Sequence, residues 1–140
     1  MKDLRDYSLL AHNTFGIDAR CSRFLEYETA VEAQQVANIL RETSIPYIII
    51  GGGSNLLLTR DFPGIVVHSA VKGWDIAGCR MACGSGETWD DIVAISLQNG
   101  LYGAENCHSF LAMWELLLFR TLEPMALRQR TLFVRFMPLR

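Results

Sequence analysis

The chain has 140 residues, of which 50% are hydrophobic and 20% are charged, so it is long enough for one domain and too short for two of ordinary size. Its net charge of -2 argues against nucleic acid as a partner. No apolar run approaches the roughly 18 residues of a membrane-spanning helix, and residues 1–6 lack the apolar core of a signal peptide. We therefore expect a cytoplasmic protein without a membrane partner, and the sequence defines no protein partner.

The cysteines indicate packing rather than metal chemistry or disulfides. They form no CxxC pair and have no zinc-like spacing with histidines. Reduced thiols and no metal site are expected. The cysteines are Cys21, Cys79, Cys83 and Cys107.

The N-terminal part of the chain predicts two strands separated by a turn. Residues 1–11 change from polar to apolar, as in a lead-in strand, and residues 12–18 are turn-like. Residues 20–27 indicate the second strand.

An amphipathic helix is predicted over residues 30–41, with Thr29 as its N-cap. Apolar residues at helical spacing define one buried face. They are Val31, Val36, Ala37 and Leu40. Because a strand follows Pro46, residues 20–50 are expected to form a β-α-β unit.

The stretch that organises the chain is an apolar run, residues 48–58, interrupted by five residues with little side-chain bulk. The five are Gly51, Gly52, Gly53, Ser54 and Asn55. Glycine has no Cβ, so it permits positive φ and lets successive backbone N–H groups converge on an anion. We predict two buried strands joined by a phosphate cradle, the second strand over residues 56–58. A tight turn between core strands is the alternative interpretation.

Two better-known phosphate motifs are excluded at this stretch. No Lys-Ser or Lys-Thr pair follows the glycines, as a mononucleotide P-loop requires. The predicted strand over residues 56–58 also stands where the dinucleotide fingerprint needs a helix. Any anion would therefore be held by loop amides without a helix dipole behind them.

The following residues predict more strands. A Pro-Gly pair in residues 60–64 indicates a turn. Strands are expected over residues 65–68, 74–77 and 80–83, and a second glycine turn over residues 84–91.

That turn leads into a second helix, which is expected to reach Gln98 and to stop at Asn99 and Gly100. Residues 101–106 then form an irregular segment. The inner face of the helix is predicted to contain Trp89, Ile92, Val93 and Leu97. Acidic residues at its start favour interaction with the helix dipole over a catalytic acid cluster; they are Glu87, Asp90 and Asp91.

The character of the sequence changes after residue 106. Residues 107–140 contain no Gly, Asp, Asn, Lys, Ile or Tyr, and they hold 5 Arg against Glu115 and Glu123, whereas residues 1–106 hold 8 Lys+Arg against 13 Asp+Glu. Taken alone, this composition favours a poorly ordered tail or a loose helix over residues 110–122, or a membrane-surface segment.

Five blocks of sequence, in order, carry a family resemblance. They lie at residues 12–18 (His-Asn-Thr-Phe-Gly-Ile-Asp), 50–57 (Ile-Gly-Gly-Gly-Ser-Asn-Leu-Leu), 61–64, 84–91 and 100–106. Together they resemble the UDP-N-acetylenolpyruvoylglucosamine reductases, also called UDP-N-acetylmuramate dehydrogenases. The match implies an α/β (α+β) fold, a two-lobed FAD-binding domain of the PCMH/vanillyl-alcohol-oxidase-like type, here truncated. Residues 1–106 would be a partial FAD-binding domain, and residues 107–140 a tail foreign to the family.

The resemblance also implies a chemistry. In that family NADPH reduces FAD, and the flavin passes hydride to the enolpyruvyl group of the UDP-sugar substrate during peptidoglycan precursor synthesis in the bacterial cytoplasm. By the motif match, the FAD pyrophosphate would be held by Gly51, Gly52, Gly53, Ser54 and Asn55. Asn13, Thr14 and residues 105–106 fall on motifs that border the same cofactor.

No catalytic residue is assigned in this chain. The family's catalytic arginine, serine and glutamate come from sequence beyond residue 106, and no matching motif surrounds Ser109, Arg120 or Arg128. Turnover by this chain is therefore not expected. A non-catalytic nucleotide-binding or interaction module is the alternative function.

The remaining candidates for chemistry are interpreted as structural. His12 and His68 are expected to be a turn residue and a strand residue rather than a catalytic pair, and Trp74 and Trp89 to be core residues rather than flavin-stacking ones. Cys79 and Cys83, four positions apart, are interpreted as packing thiols.

The genetic code suggests an origin for the tail. In the reading frame that starts at the third base of each codon, the codons of Met113-Trp114-Glu115 (ATG-TGG-GAR) can only encode Val-Gly. In the same frame, the codons of Met125-Ala126 can only encode Gly. With permitted codons, residues 106–128 then give a glycine-rich sequence that resembles the family's continuation. We therefore predict that residues 107–140 are a frameshift product.

Overall fold

The computed structural model describes residues 1–54 and 56–107, together with the backbone of residues 131–135. Over these residues the chain is a mixed α+β structure, as predicted, with two sheets and two α-helices. No helix in these ranges is long and apolar enough to cross a membrane.

The first sheet contains β1 (Lys2–Ser8), β2 (Arg20–Tyr27), β3 (Tyr47–Ile50) and β4 (Phe62–Ser69). Its order is β1-β2-β4-β3, with β1 antiparallel to β2 and both β2 and β3 parallel to β4. The predicted β-α-β unit is present, but β4 lies between its two strands. The carboxyl ends of β2, β3 and β4 consequently meet at one edge.

Helix α1 (Ala30–Glu42) joins β2 to β3. The hydroxyl of Thr29 accepts a hydrogen bond from Glu32 N at 3.2 Å, and the Glu32 carboxylate accepts one from Glu28 N at 2.8 Å. The first bond satisfies an amide that the first turn leaves without a helical partner, and the second ties the residue before the N-cap to that turn, which explains why the helix begins here.

One face of the first sheet packs on α1. The buried residues of this layer are Leu25, Tyr27, Val36, Ile49, Ile65 and Val67. The prediction that Val31 joins this face is wrong, because Val31 is 71% exposed. It precedes Val36 by five positions, which places it about 140° around the helix from that residue.

The other face of the sheet is covered by irregular chain. Its core consists of Leu9, Ala19, Cys21, Phe24, Ile50, Leu58 and Val66. The predicted strand over residues 56–58 is wrong: these residues form no strand, Leu58 is buried, and Leu57 is 62% exposed. Leu56 and Leu58 cover the sheet instead of extending it, so their hydrophobicity is satisfied without strand pairing.

The second sheet contains β5 (Trp74–Ala77), β6 (Arg80–Gly84) and β7 (Thr131–Arg135), all antiparallel in the order β5-β6-β7. Helix α2 (Trp89–Gln98) supplies Trp89, Ile92 and Val93 to its core. A 3-10 helix (Ala104–Cys107) follows in the segment predicted to be irregular.

Two side chains near this sheet were predicted to be buried and are exposed. Trp74 is 49% exposed and Leu97 is 37% exposed. Each lies at the end of its element, Trp74 at the start of β5 and Leu97 in the last turn of α2. At these ends the surrounding core is incomplete.

The tail contributes one described element. Residues 131–135 form β7 and pair with β6, with Val134 opposite Met81. The helix considered for residues 110–122 lies outside the described residues, as do Ser109, Arg120 and Arg128. The division of the chain at residue 106 stays a prediction.

The two sheets are joined at the end of β4. The hydroxyls of Ser69 and Ser85, both buried, hydrogen-bond at 2.5 Å. Gly86 N donates to Val71 O at 2.9 Å, and a Cβ at Gly86 would lie 2.7 Å from the carbonyl carbon of Ala70. Only glycine permits this approach, so the second glycine turn fastens the second sheet to the first.

Candidate functional site

The carboxyl ends of the parallel strands form the candidate site. β3 runs directly into the glycine loop, residues 51–54, and in β4 His68 is paired with Ile50 on one side and with Glu26 of β2 on the other. In sheets of this kind, ligands bind outside the carboxyl ends of parallel strands. The loop predicted from sequence therefore lies at the edge where a ligand site is expected.

Gly53 is the structurally demanding residue of the loop. Its φ is +69°, and a Cβ there would overlap the carbonyl oxygen of His12 and lie 2.9 Å from Asn13 Cα. Both conditions exclude a side chain at this position without strain. The loop is thus pressed against the segment that contains His12 and Asn13.

Gly52 differs from its neighbour. It is exposed, its φ is not positive, and a Cβ built on it would meet no atom within 4 Å. Among the described residues, no hydrogen bond engages the amides of Gly51, Gly52 or Gly53. The outer side of the loop therefore presents open space at Gly52, as an anion cradle requires, whereas Gly51 and Gly53 are buried.

The loop rests on a platform formed by residues 9–17. The Asn13 amide group fixes this platform: Nδ2 donates to Leu9 O at 2.7 Å and to Ile17 O at 2.9 Å, and Oδ1 accepts from Ile17 N at 2.9 Å. Thr14 N then donates to Gly53 O at 3.3 Å. Asn13 is buried and its polar atoms are used internally, so it shapes the platform.

Several polar side chains lie on the face of the first sheet that the platform covers. Glu26 forms an ion pair with Lys2 and accepts a hydrogen bond from His68 Nδ1 at 2.9 Å. The His68 ring packs edge-on against the His12 ring with centroids 4.9 Å apart. His12 Nε2 lies 3.2 Å from the Tyr7 hydroxyl.

The electrostatics of this cluster favour a neutral His12 beside an ionised Glu26. Burial is the main cause that lowers the pKa of His12 below its ordinary value, and the neighbouring His68 lowers it further. Burial of Glu26 opposes its ionisation, but hydrogen bonds from Lys2 and His68 outweigh burial and hold the pKa of Glu26 below its usual range.

Sequence reasoning missed this cluster. It interprets His12 as a turn residue and His68 as a strand residue rather than a catalytic pair, and the fold brings the two rings together. A signal was available in the alternation of side chains along a strand. Residues two positions apart point to the same face, so Glu26 lies on the buried face with Phe24, and His68 with Val66. A polar residue on the buried face of an apolar strand indicates a partner on the neighbouring strand.

The other predicted residues are spread over the structure. Asn55 lies outside the described residues, and Ser54 is half-buried and engaged. Thr14 is exposed beside the loop, and Glu105 accepts a hydrogen bond from Gly103 N at 2.6 Å. Glu87 accepts one from Gly73 N at 2.6 Å, so it ties down a turn.

The described cysteines are free thiols, as expected. Cys21 and Cys83 are buried, and Cys79 is half-buried. Burial, with Glu87 as a second cause, raises the pKa of Cys83 to about 11. A thiol with so high a pKa is unreactive at neutral pH, which agrees with a packing role.

Comparison with known proteins bears on the identity of this site. No protein-family model matches the chain. The UDP-N-acetylenolpyruvoylglucosamine reductase of Bacteroides fragilis is 44% identical over 105 residues, which cover 71% of this chain and 31% of the relative. The protein of the same name from Pseudomonas aeruginosa is 38% identical over 104 residues, again 71% of this chain and 31% of the relative.

A solved structure agrees with these relatives. The crystal structure of UDP-N-acetylenolpyruvylglucosamine reductase (MurB) from Thermus caldophilus matches with a TM-score of 0.54 and 26% identity, over 74% of this chain and 35% of that one. The chain spans about a third of the length of the relatives it matches. Over that span the chain is a homologue of the UDP-N-acetylenolpyruvoylglucosamine reductases, so the family predicted from its motifs is confirmed.

Proposed function

We infer that residues 1–106 are the FAD-binding portion of a UDP-N-acetylenolpyruvoylglucosamine reductase, an oxidoreductase of bacterial peptidoglycan precursor synthesis in the cytoplasm. The cofactor pyrophosphate would lie on the glycine loop. The residues proposed to hold it are Gly51, Gly52, Gly53, Ser54 and Asn55. The observation that supports this proposal most directly is the open outer side of Gly52, which is exposed and where an added Cβ would meet no atom within 4 Å.

The loop residues fit such a group. A pyrophosphate carries negative charge and many acceptor oxygens, and converging backbone N–H groups meet both needs without a cationic side chain. When bound, FAD supplies the hydride transfer by which the family reduces the enolpyruvyl group of its UDP-sugar with NADPH. The contribution of these residues is to bind and orient the cofactor.

We propose that this chain alone does not reduce the substrate. The residues that would protonate and orient the UDP-sugar are assigned to no position of this chain, and binding a flavin does not by itself position it against a substrate. Incubation with NADPH and the UDP-sugar should therefore produce no substrate-dependent NADPH oxidation. Measured turnover would overturn this part of the proposal.

The cofactor site is tested with Gly52→Val in the full chain. The change fills the open space without strain in the loop, since its φ is not positive, so folding should be kept while FAD binding is lost. Thr59→Val is the matched control, because it places the same side chain at an exposed position just past the loop. Flavin fluorescence titration measures binding, and thermal denaturation checks folding.

The outcomes separate the two candidate functions. Loss of FAD binding in Gly52→Val with wild-type binding in Thr59→Val supports the proposal. Equal FAD affinity in both variants moves the site away from the loop. Binding of ADP but not of FAD by the wild type would favour the non-catalytic nucleotide-binding module.

A further inference from the structure

A continuous set of side chains connects the edge strand β1 to the platform beneath the glycine loop. Lys2 pairs with Glu26, Glu26 with His68, His68 with the His12 ring, and the His12 ring with Tyr7. Phe24 packs against three of these rings, with centroid distances of 4.4 Å to Tyr7, 4.7 Å to His12 and 6.2 Å to His68. This set is referred to below as the histidine cluster.

His12 belongs to the histidine cluster and to the platform at the same time. Its ring is enclosed by Tyr7, Phe24 and His68, whereas its carbonyl oxygen lies directly beneath Gly53, where a Cβ would strike it. The next residue but one, Thr14, donates to Gly53 O. The packing of the imidazole, together with the Asn13 hydrogen bonds, therefore positions the backbone on which the loop rests.

The cluster accommodates an uncharged imidazole better than a charged one. The titratable groups that face His12 are Tyr7 and His68, with Glu26 and Lys2 behind them. The only carboxylate among these groups, Glu26, already accepts from Lys2 and His68. A protonated His12 ring would thus be a half-buried positive charge beside His68, and the nearby carboxylate is already shared by two other groups. Burial of such a charge is unfavourable.

We propose that His12 is a positioning residue for the glycine loop: its neutral imidazole, packed against Tyr7, Phe24 and His68, holds the carbonyl that supports Gly53, and protonation of His12 displaces the loop from its anion-binding form. The link to the loop stands on the geometry of this chain. The consequence for a ligand rests on the proposed function, with a pyrophosphate as the group that loses affinity.

The first experiment needs no ligand. The full chain is labelled with ¹⁵N-glycine, and the amide signals of Gly51, Gly52 and Gly53 are followed by NMR between about pH 5 and pH 8, together with the ring protons of His12. The loop amides should titrate with the same midpoint as the His12 ring. Loop amides that ignore the His12 titration in the wild-type chain overturn the inference, whatever the variants do.

Two variants sharpen this experiment. His12→Phe keeps a flat ring in the cluster but removes the titrating group, so the loop amides should lose the transition. His108→Phe removes the third histidine of the chain and should leave the transition in place. A transition that persists in His12→Phe would assign it to another group, and the inference would fail.

The second experiment adds FAD or ADP to the same proteins. If protonated His12 is not competent to hold the loop, about a tenth of the wild-type chain is competent one pH unit below the midpoint, so the affinity should fall about tenfold there. In His12→Phe the affinity should stay constant over that range. An affinity that rises on acidification would indicate simple attraction between the imidazolium and the anion, and would overturn the positioning role.

These readouts distinguish the inference from the proposed function. If the loop amides follow His12 but no form of the chain binds FAD or ADP at any pH, the proposed cofactor site fails and the positioning role stands. If FAD binds with an affinity independent of pH and the loop amides do not follow His12, the positioning role fails and the cofactor site stands.

Discussion

At the scale of single residues, the glycine loop shows that neighbouring glycines serve different purposes. Gly53 must be glycine because of its positive φ and its contact with the His12 carbonyl, whereas Gly52 has neither constraint and borders open space. The glycine at position 53 is therefore required for folding, and the glycine at position 52 leaves room for a ligand. Substitutions should therefore separate stability from binding within one loop.

We expect Gly53→Ala to lower the free energy of unfolding by about 2 kcal/mol or more, since it adds backbone strain to a steric overlap. Gly52→Ala should change it by less than about 0.5 kcal/mol. Urea denaturation of the two variants measures the difference. Equal stabilities would show that the platform moves away from the loop without penalty.

A second residue-scale prediction concerns acid. The folded chain depresses the pKa of His12 relative to its ordinary value of 6.5, so the unfolded chain takes up this proton first as the pH falls. The stability that depends on neutral His12 is present above about pH 6.5 and is lost as the pH falls through the folded value. Glu26 acts in the same direction from its ordinary value of 4.5.

Urea denaturation at a series of pH values should therefore show two ranges of acid destabilisation. His12→Phe should remove the range that begins below about pH 6.5 and keep the lower one. His108→Phe serves again as the control. An upper range that survives in His12→Phe would have to come from a different group.

Sequence reasoning predicted where the glycine loop lies, but not what each glycine does. A run of glycines between apolar residues is a local signal. It predicted the loop at the position where the structure has it, between β3 and residues 56–58. The requirement at Gly53 arises from His12, far upstream in the chain, so no local pattern contains it. The same holds for the contact between His12 and His68.

At the scale of elements, regular periods and caps were sufficient for most boundaries. β2 has the predicted bounds of 20–27, and the Thr29 cap fixes the start of α1. The error over residues 56–58 has a physical cause. An apolar segment can satisfy its hydrophobicity either by pairing in a sheet or by covering one, and composition does not distinguish the two outcomes.

The junction between the two sheets offers an element-scale prediction. Ser69→Ala leaves the buried hydroxyl of Ser85 without its partner, which should cost about 1–3 kcal/mol. Because Ser85→Ala removes the same bond, the double variant should cost less than the sum of the single ones, with a coupling of about 1 kcal/mol. Urea denaturation of the four proteins tests this, and additive losses would show that the bond does not couple the sheets.

At the scale of the whole molecule, two parts of different character share one chain. Residues 1–106 contain all 11 glycines and the motifs of the family, and their local patterns agree with most of the observed elements, with residues 56–58 as an exception. In the tail, β7 supplies the described structure, and its pairing satisfies the edge of β6. An unpaired strand edge is a ready template for pairing with a short apolar segment such as Leu132-Phe133-Val134, so this strand does not require an evolved tail.

The final prediction concerns the DNA that encodes the tail. Loss of one C after an AAC codon for Asn106 converts AAC-CTG-TCA-TTC into AAC-TGT-CAT-TC, which gives the observed Cys107 and His108. Leu, Ser and Arg have six codons each, so part of the agreement with the family can be obtained by choosing among them. The glycines required by Met113-Trp114-Glu115 and by Met125-Ala126 involve no such choice. We expect the codons of residues 107–140 to spell the family's continuation in the shifted frame. Codons that do not spell that continuation would require the tail to be an evolved element.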